Sequence, residues 1–214
     1  MKIDTKRGIA AVITGLLTLA LIVFPAAPAR SAAAPKATER VVLAGGCFWG
    51  MQGVFESVKG VTRVVAGYSG GTKSTANYET VSTGTTGHAE SVQIDFDPSK
   101  ISFTQLLNVY FLVAQDPTQL NRQGPDSGTQ YRSVIFYTSD GQKHAAQAYI
   151  KTLEARKIFR DPIVTQVVPF HAFYQAEAYH QDFMARNPNN PYIVINDKPK
   201  VEQLQAKFPQ LAKS

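Results

Sequence analysis

The chain has 214 residues, with 22 Lys and Arg against 16 Asp and Glu, a formal net charge of +6, a single cysteine and four histidines. One cysteine excludes an internal disulfide and a thiolate metal site, and His88, His144, His171 and His180 show no close-paired ligand spacing. Basic residues nowhere cluster with interleaved aromatics, which argues against a nucleic-acid surface.

Residues 1–33 read as a secretory signal peptide. Lys2, Lys6 and Arg7 make a basic start, Ile9 to Phe24 is apolar, and Pro25 to Ala34 is rich in Pro and Ala, with Ser31-Ala32-Ala33 as the cleavage site. The alternative is an uncleaved anchor, because the apolar run slightly exceeds a typical leader yet falls short of the ~20 residues that span a bilayer. The expected place is therefore the periplasm, free or membrane-anchored. Without the leader, 18 basic and 15 acidic residues remain and net charge falls to +3. Residues 34–214 suit one catalytic domain, a monomer by default.

Val41 to Ala44 is short, β-branched and apolar, as in a buried strand. Phe48, Met51, Val54, Phe55 and Val58 then recur at helical spacing up to Gly60. Between them stands Gly45-Gly46-Cys47-Phe48-Trp49-Gly50, with the only cysteine beside the only tryptophan but one residue. Cys47 should sit at a strand-to-helix turn, where free amides and the helix dipole favour a thiolate. A lone cysteine in apolar surroundings is more often an inert core residue. The Gly-Gly turn and helix start reverse those odds.

A second strand is expected over Val61 to Tyr68, then a polar loop from Thr72 to Gly87 containing Tyr78. Ser91 to Phe96 alternates as a half-buried strand, and Ser102 with Gln105 caps a helix whose face is Phe103, Leu106, Leu107, Tyr110 and Phe111. Residues 116–132 form a second polar loop. Ser133 to Tyr137 reads as a strand, Gln142 to Ile158 as a helix and Ile163 to Val168 as a strand. Short helices follow around Ala176 to Ala185 and Val201 to Lys207. The class is α+β, a mixed sheet with helices packed on it, of the split βαβ type.

Five segments, GGCFWG, GYSGG, TGHAE, QGPDSGTQYRS and AEAYHQDF, stand in an order and spacing that resembles the A class of peptide methionine sulfoxide reductases, over residues 40 to 192. The resemblance implies a two-layer, ferredoxin-like α/β plait with long loops forming a roll. It implies reduction of the S-epimer of methionine sulfoxide, free or in proteins, with no bound cofactor. Carried over residue by residue, Cys47 is the nucleophile, and Phe48 and Trp49 wall the substrate methyl. Glu90 is the acid that handles the sulfoxide oxygen, Tyr78 and Tyr131 donate to that oxygen, and Asp126 joins the same polar cluster.

The chemistry asks for these residue types on its own account. Sulfoxide sulfur becomes electrophilic only as its oxygen is protonated or hydrogen-bonded, so the thiolate needs a neutral acid and donors nearby. A glutamate in an apolar pocket stays protonated, and tyrosines remain donors at neutral pH. The enzyme product is a Cys47 sulfenic acid. Taken singly, Glu90 reads as a solvated carboxylate, Asp126 as a turn residue and the tyrosines as loop aromatics. His88, Tyr179 and His180 read as packing or hydrogen-bonding residues.

The chain departs from the family in having no resolving cysteine in its tail, in Ser82 where many members have cysteine, and in Gln115 where they have histidine. The expected recycling is therefore by an external thiol, such as thioredoxin, glutaredoxin or glutathione. Two other classes stay open at this point: a thiol peroxidase, and a non-catalytic binder of oxidised methionine peptides.

Overall fold

The computed structural model of the protein describes Met1 and residues 38–213. Contacts divide the chain into two units, Met1–Pro35 and Lys36–Ser214, and the second holds every described element. The leader read at residues 1–33, Met1 apart, lies outside the described residues.

Strand β1 (Glu39–Ala44) runs into helix α1 (Phe48–Glu56), which crosses back to β2 (Val61–Ser69). A one-turn helix α2 (Tyr78–Val81) precedes β3 (Ala89–Phe96), which pairs antiparallel with both β1 and β2. The first two strands are therefore parallel with the third inserted between them, the split βαβ unit expected. Helix α3 (Phe103–Val109) continues as a π-helical turn, Tyr110–Ala114. A hairpin of β4 (Arg122–Gln123) and β5 (Asp126–Ser127) follows, then β6 (Val134–Tyr137), which pairs antiparallel with β1 and completes the four-strand plait.

Helix α4 (Asp140–Ala155) leads to β7 (Gln166–Pro169), parallel to β6, and β8 (Phe173–Gln175) pairs with β2. The six-strand order is β7-β6-β1-β3-β2-β8. Strands β7 and β8 are its two edges, yet only residues 170–172 join them. In a flat sheet these edges would lie about 24 Å apart. Three linking residues reach at most about 14 Å. The sheet must curl, and that is the roll.

Curling buries both faces of β1, which explains an unbroken apolar run rather than alternation. Val41 and Leu43 join the helix-side core with Met51, Val54 and Phe55, while Val42 and Ala44 join a smaller core inside the roll with Val134 and Phe136. The α3 start is the capping box read from sequence: the Ser102 hydroxyl accepts from the Gln105 amide at 3.2 Å and the Ser102 amide donates to Gln105 Oε1 at 2.9 Å.

The chain beyond β8 differs from expectation. Instead of one helix over Ala176 to Ala185, a 3-10 turn (Ala178–His180) and helix α5 (Phe183–Arg186) are separated by Asp182 in the left-handed region at φ 53°. A tertiary contact holds that break. The Asp182 amide donates to Gln52 Oε1 at 2.9 Å, and Gln52 Nε2 donates to Asp182 Oδ1 at 3.1 Å. Helix α6 (Lys198–Lys207) then buries Leu204 in the helix-side core, and the end of the chain is tied to α1 by Lys213 N to Ser57 O at 2.8 Å. The loop read at residues 116–132 is also ordered, because Gln123 bridges the Asp116 backbone, accepting from its amide and donating to its carbonyl.

Candidate active site

Gly46 adopts φ 94°, and a Cβ there would lie 2.6 Å from Gln123 Cγ, so this corner of the β1–α1 turn takes only glycine. The turn delivers a partly buried Cys47 as the N-cap of α1. The Trp49 backbone pulls the thiol down, as expected of a helix start, although the sulfur makes no capping hydrogen bond, and burial and the carboxyl groups of Glu90, Asp197 and Asp126 raise it well above its usual range. This corrects the expectation of a resting thiolate. One amide favours the anion, and burial with three acidic neighbours outweighs it.

Glu90 lies on the helix-facing side of β3, 2% exposed, and its Oε2 accepts from the Phe48 amide at 3.0 Å. Burial pushes its carboxyl up to about 8 despite that amide, with Asp126 adding to the rise. It is a neutral acid at pH 7, one residue from the thiol. Its cross-strand neighbour Tyr68 donates to Glu177 Oε2 at 2.8 Å, and Glu177 Oε1 accepts from the Tyr78 amide at 2.9 Å. Glu177 thereby fixes the start of α2 and the placing of Tyr78.

Burial raises the Tyr78 and Tyr131 hydroxyls, with Glu90 the next cause for each, so both remain donors. The fields of Glu90, Asp126 and Cys47 all act on both rings' hydroxyls, which brings the sequence-derived polar set to one place. Asp126, on β5, accepts from the Tyr192 hydroxyl, and burial raises its carboxyl against the pull of Tyr192 and Lys200.

The aromatic pair divides. Phe48 is 1% exposed and packs on Tyr68 and His180, with ring centroids 5.8 and 4.9 Å away. Trp49 is half-buried, stacks on Phe183 at 3.7 Å and donates from Nε1 to His180 Nδ1 at 3.0 Å. His88 bonds its own loop, accepting from the Gly71 amide and bonding Thr72 O at 2.9 Å, the local role expected of it.

Sequence reasoning missed Glu177, Phe183, Tyr192, Asp197 and Lys200. Asp197 is fully buried, with Oδ1 3.2 Å from Lys200 Nζ, and a Cβ on Gly50 would meet that oxygen at 2.1 Å. Asp-Lys-Pro before a helix was legible as a helix start. Nothing local tied it to a cysteine 150 residues earlier. A cavity of about 140 Å³ opens at Cys47, lined also by Gln119, Asp126, Tyr192, Asn196 and Lys200. Wider surface concavities of about 580 and 590 Å³ are not lined by Cys47, though the first shares Gln123 and Lys200 with the small cavity.

The family model described as peptide methionine sulfoxide reductase matches residues 39–212. The chain belongs to that family. It is an oxidoreductase that reduces methionine sulfoxide. It is 60% identical over 174 residues to "Peptide methionine sulfoxide reductase MsrA 2" of Mesorhizobium japonicum, covering 81% of this chain and 89% of that one. Among solved structures it resembles reduced Mxr1 of Saccharomyces cerevisiae, with TM-score 0.68, 32% identity and coverage of 73% and 90%. It also resembles methionine sulfoxide reductase A of Corynebacterium diphtheriae, with TM-score 0.63, 32% identity and coverage of 74% and 78%. Reductase membership replaces the peroxidase and binder alternatives, and the neutral acid beside the thiol is what sulfoxide reduction requires.

Proposed function

We propose that the protein reduces the S-epimer of methionine sulfoxide, in polypeptides and as the free amino acid, with Cys47 as nucleophile. The observation that carries the reading is the buried carboxyl of Glu90, pushed up to about 8 and bonded to the first amide of the helix that Cys47 caps. Glu90 gives its proton to the sulfoxide oxygen while Tyr78 and Tyr131 donate to it. Cys47 sulfur, losing its own proton to the vacated carboxylate, takes the oxygen. Methionine leaves and Cys47 is left as the sulfenic acid, so atoms and protons balance without a further reactant.

Trp49 supplies the accessible apolar surface for the substrate methyl with buried Phe48 packed behind it, and Asp126 orders the polar side through Tyr192. Recycling falls to an external thiol, thioredoxin, glutaredoxin or glutathione, because Cys47 is the only cysteine in the chain. The leader-like residues 1–33 support a periplasmic place of action, with repair of oxidised envelope proteins by a monomer.

The test is the protein, reduced and free of added thiol, with excess methionine sulfoxide. About one equivalent of methionine per enzyme is expected from the S-epimer and none from the R-epimer, with a trappable sulfenic acid on Cys47. No methionine from either epimer overturns the reading.

A further inference from the structure

Two unlike surroundings meet at Cys47. Phe48, Trp49 and Tyr78 each lie tilted against His180 and form an aromatic cluster on one side. The cavity of about 140 Å³ lies on the other, and its lining carries the polar groups of Gln119, Asp126, Asn196 and Lys200 beside Pro125 and Tyr192. Tyr192 borders both, edge-on to Trp49 at 5.9 Å and bonded to Asp126. The cavity is well below the ~300 Å³ of pockets that take drug-sized ligands. It fits a slender projecting arm.

The charges in it are arranged around one cation. Lys200 Nζ lies 3.2 Å from Asp197 Oδ1, and Asp197 Oδ2 has no hydrogen-bond partner among the described residues. Lys200 also acts on Asp126 across the cavity. Without that ammonium, an incoming anion would face Asp126 and the buried Asp197 carboxylate, both repelling it. With it, an anion can approach the Cys47 sulfur. Buried Asp197 holds Lys200 against the first turn of α1, where a Cβ on Gly50 would lie 3.1 Å from Nζ. The cation is thus placed one helical turn from the nucleophile.

We propose that this cavity is the docking subsite for the thiolate that regenerates Cys47, and that Lys200 is the residue that admits and steers it. The assignment rests on the sulfenic acid chemistry proposed above. The thiolate sulfur attacks the Cys47 sulfur, an S–S bond forms and the S–O bond breaks. Hydroxide leaves and takes up a proton to become water. A second thiolate attacks the mixed disulfide, releasing the Cys47 thiolate and the oxidised thiol. Two thiols are oxidised, and the sulfenic acid is reduced by two electrons.

The experiment is steady-state turnover of S-methionine sulfoxide with a panel of small thiols of one size, anionic 3-mercaptopropionate, neutral 2-mercaptoethanol and cationic cysteamine. The variants are Lys200→Met and Lys200→Arg. In Lys200→Met, kcat/KM for the anionic thiol is expected to fall relative to the cationic one by about ten-fold. Lys200→Arg restores the ratio, and KM for the sulfoxide stays within about two-fold. The ratio is taken on one protein sample, so partial unfolding from a stranded Asp197 cannot produce it.

An unchanged ratio overturns the proposal. So does a raised sulfoxide KM with untouched thiol parameters, which would give the cavity to the substrate. Dithiothreitol, glutathione and a thioredoxin-type dithiol then separate the sources. A Lys200 effect confined to thiols too broad for the cavity also counts against it. Methionine formed once without added thiol, but no thiol able to sustain turnover, sinks this subsite and leaves the reductase reading standing. Absence of that first methionine sinks the reductase reading itself.

Discussion

The strand-to-helix corner at residues 45–50 and the C-terminal stretch at residues 178–207 reach the same sulfur by opposite means. At the corner, regular elements do the work: a buried strand, a glycine at φ 94° and a helix whose first amide serves Glu90. The C-terminal stretch is irregular, with a 3-10 turn, a left-handed Asp182, a π-helical turn over Ile193–Asp197 and only then α6. It is held by contacts to α1. The corner sets where the nucleophile stands, and the distant stretch sets much of its charge environment, through Asp197 and Lys200, and its aromatic shelter, through His180 and Phe183. Position comes from local backbone geometry. Reactivity comes from what is packed against it.

The largest effect expected is at the corner. Glu90→Gln keeps the shape and the bond to the Phe48 amide but removes the proton, so the rate of the first turnover should drop by about 10²–10⁴ in a rapid-quench assay of methionine. The same group should show a protonated carboxyl band in difference infrared spectra that disappears as pH rises through about 8, and the variant should lack it. A band lost near pH 4 would place the acid elsewhere.

The next effect tests the tail. Leu204 is the buried side chain of α6 and has 0% exposure, so Leu204→Ala should cost about 2–5 kcal/mol in denaturant unfolding. If the corner is as independent as its local geometry implies, the Cys47 sulfenic acid should still form in the folded fraction. Loss of that chemistry at full folding would show that the tail also positions the sulfur.

The smallest effect concerns Glu56 on α1, pushed up to about 7 by burial and by its hydrogen bond and charge contact with Asp182. Its folded value exceeds the unfolded carboxylate range, so the native state holds the extra proton. Its contribution to stability is present below that range and is lost as pH rises through about 7. The group is half-exposed, and Glu56→Gln should remove only about 2 °C from the fall in melting temperature between pH 5 and 8. An identical fall in both proteins would separate Glu56 from the Asp182 break.

Much of the plait was legible because its signals are local. Val41 to Ala44, the Ser102–Gln105 capping box and the alternation before Phe96 each state an element within a few residues. Strand β8 was not legible: Phe173–Gln175 is three residues long and becomes a strand only by pairing with β2. Asp182 breaks its helix for the same kind of reason, since the competing partner, Gln52, lies on α1. Among site residues, Cys47, Glu90, Tyr131 and Asp126 were named through the registered motifs and Tyr78, outside them, through the family resemblance alone, and they gather in one place. Glu177, Tyr192, Asp197 and Lys200 sit outside those motifs or carry no signal at their own positions.

By itself the amino-acid sequence determined the family chemistry, the single nucleophile, the absence of a second cysteine and the strand–turn–helix that presents Cys47. These depend on residue identity and on interactions within a few positions. Only the tertiary structure decided that the thiol is held protonated, that Glu90 is neutral at pH 7, and that Lys200 and Cys47 line one small cavity. Those are matters of burial and of charge at close range. Both are created when segments far apart in the chain exclude water together.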